Sequence, residues 1–489
     1  MRVPPVRTTS TTQREDLEAH VRFLSQPSLK GRAPGSIGSR AARHYIEARF
    51  KASGLVPWGQ EKSYVLPCVN GKNVVGVLPG SDSGLAKEIV LISAHYDHLG
   101  KDSRGKICPG AADNASGVAA LLEIARQMAA LCPKRTIAFV AFDCEESMLL
   151  GSFAFSCRKD VQDARIAAVL NIDMLGRDLL DTVRHTIFVS GTEPYPKLRG
   201  SVANFGHECG IRVLPVSADL TGPRGDHVAF QSRPVPCLFF SSGTYKDYHL
   251  PTDTADKINY ADLDRAASVI LKTANELAED ESPRAKPLAA TADLEELWTV
   301  CTVLAEVTQE PERAGLKKQD MDAIQNLAVR ANKLLTNGTY DLNKRERLIV
   351  DASGTLAPYF LPVGEVNNQP GDEQKESQLI MKYMQWLYLS YGPKMMEGYR
   401  KLVEQVVRYQ PGIIRKMPKF DYEIYDIPEQ DIYLTESGQG RYALNTLAHS
   451  VTMYAEVKSS KWLINSFQGG IVMYVRNFDC EGTREEISD

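Results

Sequence analysis

Residues Ile89-Val90-Leu91-Ile92-Ser93-Ala94 form an almost uninterrupted apolar, β-branched run, and it restricts the fold more than any other stretch of the chain. A strand with one wet face alternates polar and apolar residues. This one does not, so it suits burial on both faces, within a largely parallel sheet covered by helices. The chain downstream has the matching rhythm. A helix from Ser116 to Met128 carries Val118, Leu121, Leu122 and Ala125 on one face, and strand-like Thr136 to Phe142 comes next. After these come a helix from Ser147, strands Ala167 to Ile172 and Thr186 to Ser190, a helix from Pro196, strand Arg212 to Val216, a short helix from Gly225, and strand Pro236 to Phe240. A helix from Tyr260 to Ala278 closes the series. Such alternation predicts an α/β fold with a mixed, mainly parallel central sheet flanked by helices.

Ahead of the alternation, Leu17, Val21 and Leu24 mark one helix face, and Ala42, Tyr45, Ile46 and Phe50 mark another that ends at Gly54. Asn70-Gly71 between Tyr64 to Leu66 and Asn73 to Leu78 predicts a hairpin, hence an antiparallel edge to the sheet. At 489 residues the chain exceeds one small core. The charged, proline-containing stretch Glu279 to Pro287 reads as a boundary between a first domain over 12–283 and a second over 290–489. The second is expected to be mainly helical: Leu294, Leu297, Val300, Cys301 and Leu304 form one stripe, and Met321, Ile324, Leu327, Ala328 and Leu334 another. Two further helices are expected over Ile380 to Tyr391 and Met395 to Tyr409, an exposed loop over Asn367 to Gln378, and Val451 to Phe478 is ambiguous between helix and strand.

A net charge of −4 gives no case for nucleic acid or anionic membrane as a partner. No apolar run approaches the ~18 residues of a membrane span, and no signal-type apolar core opens this sequence. Nine unclustered cysteines do not make a disulfide framework.

The chemistry concentrates where strands end. His95-Tyr96-Asp97-His98 follows the first buried run, Asp113-Asn114-Ala115-Ser116-Gly117 opens a helix, Asp143-Cys144-Glu145-Glu146 follows Phe142, and Asp173 follows Ile172. Tyr248-His249-Leu250-Pro251-Thr252-Asp253-Thr254 comes after Phe240. In open α/β sheets the carboxyl edge is where sites are built. His95, Asp113, Glu146, Asp173 and His249 are therefore five potential ligands near one edge. Carboxylates crowded there repel each other unless a cation neutralises them, and two histidines among oxygen donors suit zinc. His98, His185, His207 and His227 have no such support and read as surface or hydrogen-bonded histidines.

This ordered set, His-x-Asp, Asp-Asn-x-Ser-Gly, Glu-Glu, Asp-Met and Tyr-His-x-Pro-x-Asp-Thr, resembles the di-zinc aminopeptidases that also include glutamate carboxypeptidase and, as divergent relatives, glutaminyl cyclases. The resemblance covers about residues 15–280. It implies a zinc-exopeptidase-like first domain in which Asp113 bridges two zinc ions, His95 and Asp173 complete one site, and Glu146 and His249 complete the other. It further implies Glu145 as the general base for a shared water, Asp97 as the group that fixes the His95 tautomer, and Tyr248 as donor to the oxyanion. Arg224 is implied near the substrate backbone, although Gly225 stands where many members have serine. A cis bond between Asp113 and Asn114 is also implied.

The expected activity is that of an aminopeptidase with a peptide substrate. Carboxypeptidase action on small peptides, glutaminyl cyclase activity and a non-catalytic receptor-like role stay open. The cyclase pattern lacks the first histidine, which this chain has. The same resemblance, with a linker-like start, suggests an extracytoplasmic site, periplasmic or secreted. Oligomeric state and the role of residues 290–489 do not follow from the sequence.

Overall fold

The computed structural model describes residues 14–68, 71–102, 104–147, 149–222, 224–231, 233–281 and 292–360, with short strand segments between 433 and 485. Helices α1 (Arg14–Leu24) and α2 (Ile37–Ala52) come first, and Ser36 caps α2 by accepting the Ser39 N–H. Strands β1 (Val65–Cys68) and β2 (Gly71–Leu78) pair antiparallel, with Cys68 opposite Gly71 as the hairpin signal predicts. Then come β3 (Glu88–His95), α3 (Gly117–Leu131), β4 (Thr136–Phe142), α4 (Leu150–Ser156), α5 (Lys159–Gln162) and β5 (Arg165–Ile172). The first domain continues with β6 (Thr186–Ser190), α6 (Pro196–Cys209), β7 (Arg212–Pro215), α7 (Ala218–Thr221), β8 (Cys237–Ser241) and α8 (Tyr260–Glu279).

The eight strands lie in the order β1-β2-β4-β3-β5-β8-β6-β7. β3 runs parallel to β4 and β5, and β5 to β8, while β1, β2 and β6 supply the antiparallel pairings. The fold is the expected mixed, mainly parallel sheet flanked by helices, and the apolar run lies near its middle with Val90, Leu91, Ile92 and Ala94 fully buried. α3 is buried from Gly117 to Met128 because it lies against the sheet and under both α1 and α8. Such a helix loses its polar face.

Helices α9 (Leu294–Gln309), α10 (Met321–Asn337) and α11 (Leu342–Phe360) follow. Leu297, Val300, Cys301 and Leu304 of α9 pack on Ile324, Leu327 and Ala331 of α10 and on Leu348 of α11, much as the stripes predict. The flank of α9 beside this stripe is also apolar. Val303 and Val307 join Ala314 in a second cluster with Leu179, Val183, Phe188 and Leu214. α9 thereby covers the β7 edge of the sheet, and the apolar core continues across the boundary read from Glu279 to Pro287.

Among the described residues of the second half helix predominates, as expected, and strands come after α11. β9 (Tyr433–Ser437), β10 (Arg441–Asn445), β11 (Thr452–Lys458) and β12 (Lys461–Gln468) form an antiparallel sheet, and β13 (Asn477–Phe478) pairs with β14 (Arg484–Glu485). Within the ambiguous stretch 451–478, β11 and β12 pair antiparallel, with Lys458 opposite Lys461. The expected loop at 367–378, the expected helices at 380–391 and 395–409, and residues 282–291 lie outside the described residues.

Candidate functional site

Four neighbouring strands, β4, β3, β5 and β8, end at one edge of the sheet and deliver the chemistry there. His95 is the last residue of β3, Glu145 and Glu146 follow β4, and Asp173 follows β5. Tyr248 and His249 lie in the loop after β8, and Asp113 sits in the buried turn Ala111–Ser116 that opens α3. The bond from Asp113 to Asn114 is cis.

The five expected ligands meet around Asp113, whose two oxygens face different partners. Oδ1 is 3.3 Å from His95 Nε2, which is itself 3.2 Å from Asp173 Oδ1. Oδ2 is 3.1 Å from His249 Nε2, which is 3.1 Å from Glu146 Oε2. Glu145 stands beside both sets, with Oε2 4.0 Å from His95 Nε2. Tyr248 stacks on His249 with ring centroids 3.8 Å apart. Arg224 is exposed on the loop after α7, near enough for its charge to act on the Tyr248 phenol.

Asp97 differs in detail from the implied arrangement. Its carbonyl oxygen is 3.3 Å from His95 Nδ1 and its carboxylate 3.6 Å. The carboxylate accepts the backbone N–H groups of Glu145 at 3.1 Å and Glu146 at 3.3 Å. It therefore fixes the acidic pair as well as the histidine.

Several groups here were given no role in the site by motif reading. His98 enters the site, contrary to the expectation of a surface or hydrogen-bonded histidine without a part in it. Its Nδ1 lies 2.7 Å from Glu146 Oε1 and 3.6 Å from Asp113 Oδ2, and His98, Asp113 and Glu146 form a metal-capable group, as do His95, Asp113 and Asp173. Adjacency to Asp97 was the only signal for it. Asp253 accepts the N–H groups of Ala112 and Asp113 at 3.1 and 3.2 Å and a 2.9 Å bond from Tyr245 Oη, so it holds the turn that presents Asp113.

Arg32, fully buried, donates to the carbonyls of Leu24, Tyr96, Pro109 and Gly110 at 2.6–2.9 Å. Nothing in its local sequence marks it. His185 pairs with Asp262 at 2.7 Å, whereas His227 is fully buried, stacks on Phe239 and has neither ring nitrogen hydrogen-bonded, contrary to the expectation of a surface or hydrogen-bonded histidine.

The electrostatics are those of a site short of positive charge. Burial raises the Glu145 carboxyl well above its ordinary value, and although His95 opposes this, the Glu146, Asp173 and Asp226 carboxylates reinforce it. Burial likewise pushes Asp226 up to about 7 despite His95 and Ser152. For Glu146 burial is outweighed by His249 and His98, which hold it down at about 2. For Asp113 the three imidazoles overcome burial in the same way. Burial and the acidic neighbours raise the Tyr248 phenol, against Arg224, so it stays a donor. Burial lowers Arg32 to about 10, and the charges of Asp113, Asp253, Asp97 and Glu146 limit the fall.

These donors fit zinc. Asp113 Oδ2, His98 Nε2 and His249 Nε2 are buried without a hydrogen-bond partner, and buried polar atoms are normally satisfied. Two histidines, two aspartates and a glutamate divide into two sets of three candidate ligands that share one carboxylate, and three ligands would leave a zinc ion a coordination position to spare.

Residues 73–274 match Peptidase family M28. The uncharacterized protein YfbL of Escherichia coli is 28% identical over 281 residues, covering 50% of this chain and 83% of that protein. A probable zinc metalloprotease of Pyrenophora teres f. teres is 32% identical over 188 residues, 34% of this chain and 40% of that protein. Aminopeptidase YwaD of Bacillus subtilis is 27% identical over 206 residues, 40% of this chain and 42% of that one. The chain thus spans less than half the length of the latter two.

Proposed function

We propose, from the match of residues 73–274 to Peptidase family M28, that the protein is a zinc-dependent aminopeptidase holding two zinc ions. His95, Asp113 and Asp173 hold one ion in this reading, and Asp113, Glu146 and His249 hold the other. The observation that carries it is the pair of metal-capable groups that share Asp113, His95–Asp113–Asp173 and His98–Asp113–Glu146, with His249 Nε2 3.1 Å from both Asp113 Oδ2 and Glu146 Oε2. The names of the relatives, a zinc metalloprotease and an aminopeptidase, support the metal and the reaction.

Zinc, when bound, supplies Lewis-acid activation of water and of the scissile carbonyl. The rest is the work of the chain. Glu145, raised by burial, accepts the proton of the attacking water and passes it to the leaving amine. Tyr248, held as a phenol, donates to the oxygen on which charge develops. Asp97 and Asp253 keep the 145–146 backbone and the Asp113 turn in register, as outer partners of metal ligands do. Arg224 faces the substrate beside Tyr248. The family resemblance alone supports an extracytoplasmic location.

Elemental analysis of the zinc-saturated protein and hydrolysis of aminoacyl nitroanilides test the reading together. Two zinc ions per chain with release of nitroaniline is the expected result. One zinc with ammonia release from an N-terminal glutamine peptide would move the assignment to glutaminyl cyclase. Activity confined to free C-termini would move it to a carboxypeptidase.

A further inference from the structure

The loop that carries Arg224 has two anchors, and one of them lies in the helices after the catalytic sheet. α7 begins at Ser217, whose Oγ accepts the Leu220 N–H at 3.2 Å. The same hydroxyl donates to Glu296 Oε1 of α9, which also accepts the Ser217 N–H at 3.3 Å. Glu296 is only 1% exposed. Its charge is answered by Arg345 of α11, with Nε 2.7 Å from Oε2 and Nη2 3.4 Å from Oε1. Arg345 Nη1 reaches on to Asp219 of α7 at 2.8 Å. Leu220, between these contacts, packs on both apolar clusters of the helices.

On the other side of Arg224 the sheet holds the chain. Gly225 has φ +102, and a Cβ there would lie 2.8 Å from Asn171 Oδ1 and 2.8 Å from the Phe239 ring. The His227 N–H donates to Asn171 Oδ1 at 3.4 Å.

We infer that Arg345 and Glu296 are positioning residues for the peptide substrate, acting through α7 to hold Arg224 opposite Tyr248. The inference rests on the aminopeptidase reading, in which Arg224 faces substrate. A forked guanidinium held by two carboxylates on different helices fixes direction as well as distance. Releasing that anchor leaves Arg224 on a loop tied at one end, and the ordering then has to occur during substrate binding. Arg345 touches none of the zinc donors, so an effect on binding of substrate without one on the chemical step is its signature.

The test uses the full chain loaded with zinc. Asp219→Asn removes the charge on α7 that Arg345 pairs with while leaving the Arg345–Glu296 pair intact, and Arg345→Met removes the fork. Each should raise KM for an aminoacyl nitroanilide about three- to tenfold, the cost of ordering one or two side chains, with kcat within about twofold. Zinc content should be unchanged, and Arg345→Lys should restore part of the loss. Arg224→Met should raise KM as well, and adding Arg345→Met to it should raise KM no further.

Additive effects in that pair, or an unchanged KM in both Asp219→Asn and Arg345→Met, would overturn the inference. Hydrogen exchange of the amides from Leu220 to Arg224 separates it from the enzymatic reading. Faster exchange in Asp219→Asn supports the anchor even if no peptide is cleaved, and unchanged exchange refutes the anchor even in an active enzyme.

Discussion

The edge of the sheet and the helices α9–α11 bury charge in opposite ways. Around α9–α11 the acids find arginines: Glu296 has Arg345 at 2.7 Å, Asp293 has Arg199 at 2.8 Å, and Glu306 has Arg212 at 2.8 Å. At the sheet edge the carboxylates of Asp113, Glu145, Glu146, Asp173 and Asp226 are gathered around three imidazoles, and three donor atoms there are orphaned. Arg32 spends its donors on carbonyls, with its charge alone left for the acids. Where the chain neutralises its own charge the residues act as architecture. Where it leaves charge unmatched, it has prepared a place for something else, and zinc fits.

The contrast breaks first, and most severely, at Glu145. Glu145→Gln should lower kcat by about 10² to 10⁴ while the zinc content stays the same, because a positioned base is worth that much and Glu145 is not among the donors proposed for zinc. Glu146→Gln should instead deplete one zinc. Full activity in Glu145→Gln would mean that the base lies elsewhere.

Chelation comes next. A site short of positive charge should lose stability when its metal is removed, by about 4 kcal/mol if free zinc stood a thousandfold above its dissociation constant. Calorimetry before and after chelation, with recovery on adding zinc, checks this. The α9–α11 charges should not respond.

Glu296→Ala probes the other region. It leaves Arg345 largely buried with only Asp219, so a destabilisation of about 3 kcal/mol is expected, the low end for breaking a buried pair. Denaturant titration measures it, and zinc content should not move.

The smallest effect belongs to Glu193, where the matching around these helices is incomplete. Its Oε1 accepts the Ala218 N–H at 3.0 Å, but Oε2 is buried without a partner. Burial, reinforced by Glu296 and Asp219 against the backbone bonds, raises it to about 7 from 4.5. The folded state thus binds this proton more tightly than the unfolded chain. Its contribution is complete below 4.5 and is lost as pH rises through 7. Glu193→Gln should match wild type near pH 4.5 and exceed it at pH 8 by part of the roughly 3 kcal/mol that the full shift is worth, because the side chain is only half-buried. Equal stability at both pH values would show that the charge is solvated.

Much of the first domain was legible. The periodicities of α1, α2 and α8, the hairpin at Cys68 and Gly71, and the buried run of β3 are local signals, and all appear within a few residues of their expected limits. Helix α4 starts at Leu150 rather than at Ser147, after a turn in which Asp97 holds the 145–146 backbone. The five ligand-type residues could be chosen because each follows a strand or opens a helix. His98 could not, since its partner Glu146 lies far along the chain. The apolar side of α9 that faces β7 was missed because Val303 and Val307 fall outside the one stripe the spacing picked out.

By itself the sequence determined which segments become strands and helices, and which chemical groups stand at their ends, because propensity, capping and hydrophobic period act over a few residues. Only the tertiary structure decided which of those ends meet. Arg32 under the acids, Asp253 holding the Asp113 turn, and Arg345 reaching α7 from α11 all join residues distant in the chain. Such contacts depend on the strand order β4-β3-β5-β8 and on the packing of α9 against β7. No local pattern records them, because a side chain's partner across a fold is set by packing rather than by its neighbours in sequence.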